Sequence, residues 1–205
     1  MARIDNILED TQKQVELYGT SGEEAVFLTD LAVTFYAAEL EIPPINCDFP
    51  GAVADFAWFL SCEEKRLIVP HQSPDSSFWL RTFGEQALPY GYSWDLKHLR
   101  ETLLSHDTWR RAILYNPLSQ SNPPCVVCYQ FQNASFGELD LTVTMRSSDV
   151  AKVFPQDVIM SYLLLCHVSN LVDLKPGSIT FNLGNAHVYW ADTEFGEEFA
   201  IDDGL

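Results

Sequence analysis

"MRSSDVAKVFPQDVIMSYLLL", Met145 to Leu165, changes character halfway along. Its first half gathers Arg146, Ser147, Ser148 and Asp149, and its second half is an apolar run interrupted by few polar groups. Guanidinium and hydroxyl side by side suit an anion, because both donate hydrogen bonds in a geometry that fits phosphate oxygens. Asp157, just past Pro155, is the opposite kind of group: it repels anions and accepts hydrogen bonds. Upstream, "ELDLTVTMRS" (138–147) alternates apolar and polar residues, the period of a half-buried strand. Downstream, "DVIMSYLLLCHVSNLVDL" (157–174) reads as one long apolar helix that stops before "KPG". The stretch is thus a strand, a polar turn and a core helix, with the chemistry-bearing residues at the turn.

Further strands are expected at "RAILYNP" (111–117), "CVVCYQFQ" (125–132) and "SITFNLGNAHVYW" (178–190). In the first half, "EAVFL" (24–28) and "LAVTFYA" (31–37) read as two short strands. Helices are expected over 1–19, 51–61 and 95–105, with irregular loops over 62–93 and a weakly structured acidic tail after residue 190. Runs of strands with a few separate helices argue α+β rather than alternating βαβ, in one domain spanning 1–205.

Net charge is −17, from 29 acidic and 12 basic residues, so the basic footprint that duplex nucleic acid requires is absent. No apolar run reaches the roughly 20 residues of a membrane span, and the five cysteines follow no repeating spacing. Both observations favour a reducing, cytoplasmic setting. The CxxC at Cys125 and Cys128 invites a metal or redox reading. Regular strand alternation places positions i and i+3 on opposite faces, and no second pair exists to complete a site, so no metal is expected. Cys125, after two prolines at a strand start, is the thiol placed to face a cleft. His187 and Tyr189, two apart on one strand, share a face and can hold hydroxyls.

Taken in order, "ADFAWFL", "LPYGYSW", "WRRAILYNP", "PPCVVCYQF", "MRSSDVAKVFPQDVIMSYLLL" and "LGNAHVYW" resemble the thymidylate synthase family, which includes the pyrimidine nucleotide hydroxymethylases. The resemblance implies a large mixed sheet with flanking helices, packed sheet to sheet in a homodimer with shared active sites. It implies that Cys125 is a nucleophile, with Asp55 (where the family usually has Glu) relaying protons and Tyr90 ordering a water. Arg146 and Ser147 would bind the 5′-phosphate of a pyrimidine nucleoside monophosphate, with Arg110 and Arg111 reaching in from the partner subunit. His187 and Tyr189 would hold the sugar hydroxyl. Trp79 and Asp149 would lie near the pterin of the folate cofactor, 5,10-methylenetetrahydrofolate. The chemistry fits these residue types: a thiolate added to C6 makes C5 a nucleophile, and nearby arginines are expected to lower the thiol pKa.

The position of Asp157 is an asparagine in thymidylate synthases and an aspartate in the family's dCMP hydroxymethylases. A carboxyl accepts from the amino group of cytosine, and with a proton it also pairs with N3. The resemblance therefore implies C5-hydroxymethylation of a cytosine nucleotide, dCMP or CMP. The chain stops soon after "HVYW", truncated at the C-terminus relative to the family, which is expected to leave the site open to water. A phage-encoded enzyme working in the host cytoplasm is the setting implied by analogy. Two other readings remain: a non-catalytic relative that binds a nucleotide or pairs with another subunit, and a thymidylate synthase acting on dUMP.

Overall fold

The computed structural model describes residues 4–40, 48–62, 94–105, 109–115, 124–134 and 137–193. Four helices of at least two turns occur among them: α1 (Ile4–Tyr18), α2 (Phe49–Cys62), α3 (Leu96–Leu104) and α4 (Phe154–Val172). The strands are β1 (Thr20–Ser21), β2 (Ala25–Tyr36), β3 (Ile113–Tyr115), β4 (Val126–Asn133), β5 (Glu138–Met145), β6 (Ser148–Asp149) and β7 (Lys175–Tyr189). They form one mixed sheet in the order β1-β2-β7-β5-β4-β3, with β6 alongside β7. β7 pairs antiparallel with β2 and parallel with β5 and β6. The α+β reading and the large mixed sheet with flanking helices hold.

Alternation decides which face is covered. On β5, Leu139, Leu141, Val143 and Met145 are buried, while Asp140, Thr142 and Thr144 between them are only half-buried. The register carries this phase across the sheet: Val143 aligns with Phe181 of β7, which aligns with Val33 of β2. α4 lies over the apolar face, burying Val158, Ile159, Leu164, Leu165 and Val168. Phe154 at its start packs on Phe181 and Phe35, with ring centroids 5.0 Å and 6.3 Å away. Fully burying a side chain of this size contributes about 1.5–3 kcal/mol. The opposite face carries threonines, with Thr34 and Thr180 sharing a 3.0 Å hydrogen bond across β2 and β7.

Two local readings need correction. "EAVFL" and "LAVTFYA" are one strand rather than two, interrupted where Asp30 takes a left-handed φ of 57°. "KPG" does not terminate the long helix. Asp173, also at φ 57°, turns the chain, and Leu174 N–H closes back on the Ser169 carbonyl at 3.0 Å. A short polar side chain tolerates that backbone where most residues do not. Lys175, Pro176 and Gly177 then open β7, with Lys175 and Pro176 opposite Glu138 and Leu139 of β5. The expected loops over 62–93 and the tail after 193 lie outside the described residues, apart from Cys62 at the end of α2. Among the described residues, no helix is long and apolar enough to cross a membrane.

Candidate active site

β4, β5, β6 and β7 end together at one edge of the sheet, and α4 begins above that edge. Cys125 immediately precedes β4, and its carbonyl accepts the Arg146 backbone N–H at 2.8 Å. The Cys125 Sγ lies 3.9 Å from Ser147 Oγ, which in turn accepts from Arg146 Nη1 at 3.0 Å. Gly184 allows this approach: a Cβ there would sit 3.1 Å from the Arg146 carbonyl oxygen. β6 runs parallel to β7 and sets Asp149 opposite His187. Asp149 Oδ1 accepts the backbone N–H groups of Ala151 and Lys152, both at 3.1 Å, and so fixes the turn into α4.

Asp157 sits in the first turn of α4, 6% exposed, with Oδ2 buried and meeting no hydrogen-bond partner. Burial pushes its pKa up to about 8, so the acid is neutral at pH 7. Its field reaches both Cys125 and Tyr129. The Cys125 thiol is itself pushed up, first by burial and then by Asp157, and this outweighs the lowering by Arg146 and Ser147. The expectation that arginines leave this thiol with a depressed pKa is therefore not met. While Asp157 holds its proton its charge is absent, which relieves the thiol of one of the two effects opposing ionisation.

The two cysteines of CxxC are both free, and they are separated for a reason that alternation alone misses. The pairing with β5 slips by one residue between Val126 and Cys128, so strand parity does not carry across the motif. Cys125 lies ahead of the strand, packed against the core cluster, whereas Cys128 stands opposite Thr144 on the open face. No group of three or more metal-ligating side chains occurs among the described residues.

The His187 ring is half-buried and lies 5.3 Å from that of Tyr189, nearly perpendicular to it. Burial lowers the His187 pKa against a raising effect of Asp149, which keeps the ring neutral near pH 7. Asp55 lies on α2, fully buried. Arg110 and Arg111 are not brought to this edge within one chain. They form an exposed turn, Trp109–Arg111, that leads into β3 where Ala112 meets Phe131. That is about six strand residues from Cys125, or about 20 Å. Tyr90 and Trp79 fall outside the described residues. Trp94 serves packing, 2% exposed and edge-on to Tyr129 at 5.5 Å.

Sequence reading passed over three groups that the fold brings to this edge. Tyr129 is buried under the influence of Asp157. Lys152 pairs with Asp192 at 2.7 Å beside Asp149. Asn185 holds the His187 ring, and its place two residues before His187 on the same strand was the available signal. A separate cleft of about 460 Å³, lined by Leu103, Trp109, Asn133 and Leu174 among others, lies at the other end of β4 and contains none of these groups.

The chain is similar to known proteins over the half that carries this edge. The family described as thymidylate synthase matches residues 95–198. A thymidylate synthase of Herpesvirus ateles is 32% identical over 127 residues, which is 57% of this chain and 43% of that relative. The chain thus matches less than half the length of that curated relative. With the mixed sheet, the thiol beside Arg146 and Ser147, and half of the chain matched, this protein belongs to the thymidylate synthase family.

Proposed function

We propose that the protein transfers a one-carbon unit to C5 of a cytosine nucleotide, dCMP or CMP, with hydroxymethyl as the group formed. The observation that carries this reading is the buried, neutral Asp157 whose Oδ2 has no partner beside the Cys125 thiol. A buried unpaired polar atom costs about 1–3 kcal/mol, a cost recovered when a ligand supplies the partner. A neutral carboxyl offers one donor and one acceptor, matching cytosine N3 and its amino group.

Cys125 adds to C6 as the thiolate, helped by Arg146 and by the Ser147 hydroxyl. Arg146 and Ser147 grip the 5′-phosphate, and His187 and Tyr189 hold the sugar hydroxyl. Asp55 relays a proton to the exocyclic group of the ring, and Tyr90 orders the water that receives the C5 proton. Asp149 fits the folate side, since a carboxylate accepts from the amino and N3–H edge of a pterin; Trp79 joins it there. Methylenetetrahydrofolate, when bound, supplies the carbon. Arg110 and Arg111 serve a neighbouring subunit's phosphate site in a homodimer packed through the threonine-lined sheet face, which is uncovered among the described residues.

A second reading, thymidylate synthesis from dUMP, is favoured by two observations. The relative from Herpesvirus ateles carries that name. In addition, a neutral Asp157 can donate to uracil O4 and accept from N3–H, as an asparagine does. The two readings part in which base releases its C5 hydrogen.

The deciding assay supplies dCMP, CMP or dUMP with formaldehyde and tetrahydrofolate, and follows tritium release from C5 and the mass of the product. Release from a cytosine nucleotide with a hydroxymethyl mass gain is expected. Release from dUMP alone transfers the assignment to thymidylate synthesis, and no release from any nucleotide leaves a non-catalytic binder.

A further inference from the structure

Asn185 and His187 project from the same face of β7, two residues apart, at the point where β6 ends beside them. His187 Nδ1 lies 3.2 Å from Asn185 Oδ1. The Asn185 backbone carbonyl also hydrogen-bonds the ring. The amide oxygen that Nδ1 meets can only accept, so Nδ1 carries the hydrogen. A neutral imidazole has one N–H, which leaves Nε2 with a lone pair and no hydrogen. Burial is the largest influence on the ring and disfavours its charge, as Arg146 does, and together they outweigh the opposite effect of Asp149.

We propose that Asn185 is a positioning residue that fixes His187 as a hydrogen-bond acceptor at Nε2, so that the site takes its nucleotide through a sugar hydroxyl that donates. This deepens the functional reading above and rests on it for the identity of the ligand. The consequence is a polarity requirement. A sugar carrying a hydroxyl at the 3′ position is bound, and one carrying an acceptor without a hydrogen is refused as firmly as one carrying nothing. Tyr189, whose hydroxyl both donates and accepts, does not impose that requirement; the histidine tautomer does.

Two measurements use the unaltered protein. Long-range proton–nitrogen correlation spectra of the histidine-labelled protein, free of nucleotide, are expected to show His187 protonated at Nδ1 and bare at Nε2. In a binding series with dCMP and its 3′-deoxy and 3′-fluoro analogues, both analogues are expected to bind about tenfold more weakly than the parent, the loss of one hydrogen bond. Fluorine accepts but cannot donate, so the fluoro compound gains nothing over the deoxy compound. In the variants, Asn185→Leu raises KM about tenfold with kcat within about twofold, and Asn185→Asp, which keeps an acceptor at Nδ1, restores KM. An Nε2–H signal in the free protein overturns the proposal, as does a 3′-fluoro analogue binding like the parent. Failure of every nucleotide to bind, with the Nδ1–H signal present, removes the functional reading and leaves the Asn185 assignment standing.

Discussion

Phe154 and Asp157 stand three residues apart in the first turn of α4, and both are buried, yet they act on the molecule in opposite directions. Phe154 has ring partners at 5.0 Å and 6.3 Å and leaves no part of itself unsatisfied. Asp157 has an oxygen with no partner and a proton it holds only because water is excluded. One residue contributes to folding and the other draws on it, and a single helical turn joins them. The lesson is that the core of this protein is continuous with its site. Stability and chemistry therefore have to be tested on neighbouring residues rather than on separate domains.

The contrast can be broken most decisively at the thiol that Asp157 faces. Cys125→Ala is expected to abolish tritium release from C5 while leaving the thermal midpoint nearly unchanged; retained turnover would sink the assignment of the nucleophile. Phe154→Ala is expected to lower unfolding free energy by about 3–5 kcal/mol, read by urea denaturation, because its neighbours can collapse only partly into the space. A loss below about 1 kcal/mol would show that the aromatic cluster is not what anchors α4.

Asp157→Asn is expected to act in the other direction. The native carboxyl keeps its proton up to about pH 8, while the unfolded chain loses it near 3.8, so the unfolded state binds fewer protons across that window. Stability of the parent therefore falls as pH rises from about 4 to about 8 and flattens above. The variant loses that slope, gains up to about 4 kcal/mol at pH 7, and shifts relative kcat/KM from cytosine towards uracil nucleotides. A slope that survives the substitution would mean that another buried acid carries it. The smallest effect belongs to Cys128→Ala, which changes turnover by less than about twofold, since Cys128 stands opposite Thr144 on the open face.

Much of the fold was legible because alternation on β5 and the apolar length of α4 are strong periodic signals. The polar turn from Arg146 to Asp149 was equally visible, and it does stand beside Cys125. What escaped the sequence was set by tertiary packing. The slip between Val126 and Cys128 has no local signature, yet it invalidates parity across CxxC. Burial decided the direction of the Cys125 pKa against the arginine beside it, and no reading of neighbours in sequence can weigh desolvation. The helix stop at Asp173 was hidden because aspartate takes the left-handed turn where glycine was the expected sign. Asn185 was as legible as Tyr189, two residues from His187 on the same expected strand; what the sequence lacks is the 3.2 Å approach of its Oδ1 to the ring.

The short strand of Ser148 and Asp149 lies against Ala186 and His187, and the strand bearing that histidine also occupies the middle of the sheet, between β2 and β5. A fragment ending before β7 would part β1 and β2 from β3, β4 and β5, and leave β6 without its partner, at the same stroke as it lost the histidine. Recognition and foldedness should thus vanish together in a truncation series, within one window of the chain.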